Sequence, residues 1–236
     1  MKRRVDLLHC LRCGHEPLSR HGPIARCHDC GRAYPMRRAG LIDFLPEHED
    51  DDQRQSRLIN PRHWLRKTQE IYRQRVAPPD PDLHRILDQQ SGGIFLHLGC
   101  GPGLVLEEVA RHPWRLRVGV ERKLSRLLRA HRQPNGGLSL LLLRCSPYRL
   151  PLRDKTIDSV LLQSPFVEFK DPQAAIFEVV RVLASDGQLI CRVEKGQDER
   201  LGQMLSNAGF AYYRMGAWWV GRRLDAQPSS SATQAL

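Results

Sequence analysis

The sequence predicts an α/β fold, a mostly parallel sheet with helices on both faces, behind a small N-terminal module held together by four cysteines. Three observations carry this reading. Two CxxC pairs fall within the first 30 residues, short apolar runs alternate with helical-period segments from about residue 83 to 193, and the first of these runs ends in a glycine-rich turn.

The module comes first. Cys10-Leu-Arg-Cys13-Gly14 and Cys27-His-Asp-Cys30-Gly31 each place two thiols on a tight turn closed by a glycine, which suits one tetrahedral Zn²⁺ held by Cys10, Cys13, Cys27 and Cys30. A segment of this length buries too little apolar surface to fold unaided, and a structural metal can supply on the order of 10 kcal/mol. His9, His15 and His28 lie close enough in sequence to replace a thiolate. The paired spacing favours the all-cysteine set over them, and over a redox role for either CxxC. Four closed ligands leave no position for a reacting water, so the metal is expected to be structural. Cys100, Cys145 and Cys191 sit in apolar segments and read as buried thiols, not as parts of a disulfide framework.

Residues 1–46 therefore form a zinc ribbon and 47–56, EHEDDDQRQS, an acidic linker. Leu58, Trp64, Leu65, Ile71 and Tyr72 recur at roughly helical spacing up to the Ala77-Pro78-Pro79 stop. Beyond it, strands are expected at 94–98, 116–120, 138–143, 159–163 and 188–193, with helices at 83–90, 104–111, 123–131 and 173–184 between them. Apolar runs joined by helices argue for parallel strands buried on both faces. A further helix at 198–208 and a strand pair at 210–215 and 218–223 complete seven strands and a domain spanning 57–224. The polar tail 225–236 is expected to be disordered.

Within that domain Ile94-Phe-Leu-His-Leu-Gly-Cys-Gly-Pro-Gly103 runs from a strand through a glycine turn into a helix, a geometry that lets the backbone approach a ligand closely. The next strand ends at Glu121, about 20 residues on, where a carboxylate can accept both hydroxyls of an adenosine ribose.

HLGCGPG, VGVERKLSRLL, SPYRLPLRDKTIDSVLL and DPQAAIFEVVRVLASDGQLI, in this order over most of residues 94–193, closely resemble the S-adenosylmethionine-dependent methyltransferases of class I. The resemblance implies a Rossmann-like, seven-stranded fold and S-adenosylmethionine as cofactor. It implies that Gly99, Gly101 and Gly103 lie against the methionine and ribose, that Glu121 holds the ribose, that Ser146 stands beside the adenine and that Gln163 adjoins the methyl-transfer point. His97 occupies the place of the family's first-strand acid, and Ser146 that of a common aspartate. Cys10, Cys13, Pro17-Leu18-Ser19, Cys27, Cys30 and Leu45-Pro46, with Ser146-Pro-Tyr-Arg-Leu-Pro151 and Ser164-Pro165, are similar to bacterial enzymes that methylate guanine N1 in large-subunit ribosomal RNA. The second metal pair departs from that group, which commonly has a histidine there, and the region after the fifth strand is shorter than theirs. Glu168 and Asp171 are candidate bases, Asp158 reads as a strand cap, and Tyr148, Phe166, Trp218 and Trp219 are candidates for stacking on a base.

Charge points the same way without deciding it. Lys+Arg total 37 against 26 Asp+Glu, a formal +11. Binding zinc through four thiolates changes this by −4 and +2, to about +9. A basic surface favours polyanions such as RNA, and it also fits an arginine-rich solvated surface. No apolar run approaches a membrane span and MKRRVDLLHC lacks a signal-peptide core, so a cytoplasmic protein is expected. The sequence leaves three functions open: RNA methylation, methylation of a small molecule or protein, and a non-catalytic binding module.

Overall fold

The computed structural model describes residues 5–37, 40–45, 80–89, 92–131, 139–163, 169–193, 196 and 198–224. The acidic linker, the helix expected over 57–76, the polar tail, Ser164-Pro165, Phe166 and Glu168 lie outside them. Among the described residues no helix is long and apolar enough to cross a membrane.

Four short strands come from the N-terminal unit: β1 (Ser19–His21), β2 (Ile24–Arg26), β3 (Ala33–Arg37) and β4 (Leu41–Asp43). Helix α1 (Pro81–Asp88) leads into β5 (Ile94–Leu98), followed by α2 (Leu104–Glu108) with a terminal 3₁₀ turn, β6 (Leu116–Val120), α3 (Leu124–Ala130) and β7 (Leu140–Arg144). The second half comprises β8 (Ile157–Leu162), α4 (Pro172–Val182), β9 (Leu183–Arg192), α5 (Asp198–Asn207), β10 (Phe210–Met215) and β11 (Trp218–Arg223).

Strand order is β1-β2-β3-β4-β7-β6-β5-β8-β9-β11-β10. The pairs from β4 through β9 are parallel and those outside them antiparallel. Chain direction across the sheet reverses at β5, with β6 on one side and β8 on the other, and the carboxyl edge beside such a switch point is where ligands bind in open α/β sheets.

The strands are apolar on both faces because both are covered. Leu96, Leu98, Val118, Val120, Leu141 and Leu143 pack with Ile176 and Val179 of α4 on one face. Phe95, Leu140, Leu142 and Leu161 pack with Ile86, Leu106 and Leu127 from α1, α2 and α3 on the other. Successive residues of a strand point to opposite faces, so each run serves both layers.

The sheet differs from the expected seven strands. The N-terminal unit is continuous with it: β4 adds a parallel strand beside β7, pairing Leu41 with Leu142 and Asp43 with Arg144. Leu8, Leu18, Ala25, Ile42 and Phe44 belong to the same hydrophobic core as Leu141 and Leu143. The join is also ionic. Arg144 Nη1 donates to both oxygens of Asp43 at 3.3 and 3.1 Å, with both side chains almost fully buried. Removing one member of such a pair typically costs about 3–5 kcal/mol, because the other charge is left uncompensated. Pairing with β4 is also why β7 continues to Arg144, beyond the expected end at 143.

Helix α4 ends two residues before its expected limit and β9 begins at once. The amides of Lys155 and Thr156 donate to the carbonyls of Arg181 and Val182 at 2.9 Å, drawing the chain into register against β8 before the apolar run resumes at Gln188.

Candidate active site

The glycine turn and the acid at the end of the second parallel strand are tied together by backbone. The amides of Gly99 and Cys100 both donate to the Val120 carbonyl at 2.9 Å, one residue before Glu121. Gly99 has φ +75°, and a side chain there would project into open space, where a ligand can approach the main chain. Gly103 serves another purpose. It caps α2 with φ +84°, and a Cβ would lie 2.7 Å from Cβ of Ala130, so its missing side chain lets α2 close on α3. Gly101 also has a positive φ, +54°.

Glu121 is buried at the carboxyl edge of the sheet. One carboxylate oxygen accepts the Lys123 amide at 2.9 Å, and the other faces Arg126 Nη1 at 3.3 Å. Each oxygen keeps a second acceptor site, which is what a ribose diol requires. Arg126 was not singled out in the sequence. Its position five residues after the acid, on the first turns of α3, is the signal that could have found it.

His97 is fully buried in β5, and neither ring nitrogen has a hydrogen-bond partner. Burial with no compensating charge drives its pKa down to about 3, so the imidazole is neutral. A buried neutral imidazole carries one donor and one acceptor, and leaving both unmade is costly. The orphaned nitrogens lie two residues before Gly99 in the sequence.

Ser146 follows β7, half-buried, with its Oγ accepting the Tyr148 amide at 3.3 Å. Gln163 follows β8 and is half-buried at the same edge. Of the two candidate bases, Asp171 caps α4 by accepting the Ala174 amide at 2.9 Å. Tyr148 holds the chain before α4 by accepting the Lys170 amide at 2.8 Å. Trp218 is buried against the start of α1 and donates through Nε1 to Asp80 at 2.7 Å, while Trp219 stacks on Tyr212 with ring centroids 4.4 Å apart. Asp158 accepts the Ile94 amide at 2.5 Å and so fixes the start of β5. These aromatic and acidic groups are engaged in structure.

The four cysteines converge. The sulfurs of Cys10, Cys13, Cys27 and Cys30 all lie within 4.8 Å of one another, and His9, His15 and His28 are not part of the cluster. Cys10–Cys30 and Cys13–Cys27 are separated by 3.6 and 3.5 Å. Tetrahedral zinc with Zn–S of about 2.3 Å sets sulfurs about 3.8 Å apart, so the donor set fits that metal. Gly14 and Gly31, with φ +76° and +70°, return their amides to the carbonyls of Cys10 and Cys27 at 2.8 and 3.1 Å.

Tyr34 supports the cluster, a role the sequence analysis did not assign. Its oxygen accepts the Leu11 amide at 3.0 Å and its hydroxyl is directed at Cys10 Sγ, 3.2 Å away. Burial pushes the Cys10 thiol up, but the hydrogen bonds from Tyr34 and from the Cys13 and Arg12 amides outweigh it and favour the thiolate. Such outer partners orient metal ligands.

A parallel sheet that reverses at β5, with a glycine turn and a buried acid at the switch point, has the architecture of the class I methyltransferase fold. Residues 96–191 match the family model described as "Methyltransferase domain". The matched stretch is a methyltransferase domain, and the protein is a methyltransferase enzyme. No protein of curated function matches the sequence.

The fold agrees with solved structures. A Methanococcus maripaludis protein assigned as an S-adenosyl-L-methionine-dependent methyltransferase superposes with a TM-score of 0.60 at 14% identity, over 70% of this chain and 94% of that one. A SAM-dependent methyltransferase from Aquifex aeolicus gives 0.51 at 19% identity, over 58% and 86%. At these identities the likeness concerns the fold alone.

Proposed function

We propose that the protein methylates a base in RNA, with ribosomal RNA the favoured substrate and guanine N1 of the large subunit the narrower reading. The observation that carries this is the joining of a four-cysteine unit to the methyltransferase sheet through β4 and β7, in a chain of formal charge +11. The sequence similarity to rRNA guanine-N1 enzymes over both units supports it.

In this reading Cys10, Cys13, Cys27 and Cys30 hold a structural zinc. The open face of Gly99 and the Gly101 turn receive the methionine and ribose of the cofactor, and Glu121 accepts the ribose hydroxyls through its free acceptor sites. His97 supplies a neutral donor and acceptor beneath the turn, where an acid would carry charge. Ser146 borders the adenine and Gln163 the transfer point. Bound S-adenosylmethionine would supply an electrophilic sulfonium methyl group for in-line transfer to a substrate nitrogen, with the thioether S-adenosylhomocysteine as the leaving group. The chain's own contribution is to orient the two reactants and exclude water, so no dense acid–base apparatus is needed.

Nucleoside mass spectrometry of rRNA from a strain lacking the protein tests the proposal. One methylated nucleoside is expected to disappear and to return on complementation. An unchanged methylation profile would overturn the rRNA reading and favour a small-molecule or protein substrate.

A further inference from the structure

A cavity of about 500 Å³ lies between the cysteine unit and the methyltransferase domain. Its wall carries Arg12 and Arg32 from the cysteine unit and Arg122 and Arg149 from the domain, with Tyr34 and Ser146. Among the described residues no carboxylate lines it.

Arg37, Arg85, Arg126, Arg144, Arg153, Arg181 and Arg214 all pair with acids. Among the described residues, by contrast, no acid lies within ion-pair reach of Arg12, Arg32, Arg122 or Arg149. Four guanidinium groups around one space repel one another, so stability gives no reason to gather them. The cofactor does not account for four of them, because its adenosine bears no phosphate, its sulfonium is cationic and its single carboxylate would engage one fork.

The arrangement is held in place. Arg12 lies inside the Cys10–Cys13 loop, and Arg32 directly follows the glycine after Cys30. Tyr34 ties the first loop down through the Leu11 amide and Cys10 Sγ. Arg149 donates to the Leu11 carbonyl, bridging the two units and leaving the rest of its fork for a ligand.

We infer that this cavity is a phosphate-binding site that anchors the RNA backbone beside the cofactor edge. Arginine forks match phosphate oxygens, and a site built from both units binds the strand only when the cysteine unit is folded. The inference rests on the RNA reading above and names the surface that would hold the substrate.

The test compares wild type with Arg12→Ala/Arg32→Ala, two exposed side chains of the cysteine unit. Binding of a short mixed-sequence oligoribonucleotide is followed by fluorescence anisotropy across a salt series, with ADP and inorganic phosphate as separate arms. The variant is expected to bind RNA roughly tenfold more weakly and to lose about 1.4 from the slope of log K against log salt, about 0.7 for each phosphate contact on a single strand. Zinc content and S-adenosylmethionine titration should match wild type. Equal RNA affinity and slope in the two proteins would overturn the site, even if the rRNA profile upheld the methylation reading. Absence of RNA binding by wild type at low salt would overturn it as well. ADP or phosphate binding that depends on Arg12 and Arg32, with RNA affinity unaffected, would identify a small-anion site and refute the RNA assignment. Arginine-dependent RNA binding with an unchanged rRNA methylation profile would uphold the site while refuting rRNA methylation.

Discussion

Replacing Cys13 by serine is expected to release the metal and unsettle the whole protein, not only its N-terminal unit. Structural zinc contributes on the order of 10 kcal/mol to folding segments of this kind. In an independent module that loss would stay local. Here β4 is a strand of the main sheet, and Leu8, Leu18, Ile42 and Phe44 are part of its core. Unfolding of the cysteine unit would bare the edge of β7 and leave Arg144 buried without Asp43. Cys13→Ser is therefore expected to lose zinc by elemental analysis, to lower Tm for the global transition and to expose residues 5–45 to protease. Stoichiometric zinc with an unchanged Tm would refute the metal site.

The second large effect is a loss of stability in acid centred on His97. Its folded-state pKa, about 3, lies below the unfolded value of 6.5, so the unfolded chain takes up the proton more readily. The contribution is fully present above pH 6.5 and is lost as pH falls toward 3, at up to about 1.4 kcal/mol per pH unit and roughly 5 kcal/mol over the window. In the ligand-free protein His97→Leu is expected to flatten the stability–pH curve across that range, measured by urea denaturation at fixed pH values. Parallel curves for variant and wild type would show that His97 is not buried uncharged.

Much of the domain was legible because its signals are local. Parallel strands covered on both faces read as continuous apolar runs, and β5 and β6 fall where those runs place them. The cysteine pairs were legible because two residues on each turn suffice to specify the geometry. What escaped the sequence was long-range pairing. Nothing local distinguishes Leu41–Asp43 from a linker strand, although an aspartate within an apolar run was a sign of a buried partner. That partner, Arg144, is 101 residues away. The reach of Arg126 to Glu121 and of Tyr34 to Cys10 likewise depends on how separate elements dock. Trp218 and Asp171 show the opposite case, in which a residue type suited to substrate contact or catalysis is spent on packing or on a helix cap.

On this account the Gly99 turn and Glu121 together hold one adenosyl ligand. Calorimetric titration of S-adenosylmethionine into wild type and Glu121→Ala tests it most directly. Wild type is expected to bind one equivalent with micromolar affinity, and the variant, lacking charge-assisted hydrogen bonds to the ribose, to bind roughly ten- to a hundredfold more weakly. No binding by wild type, or equal affinity in the two proteins, would contradict it.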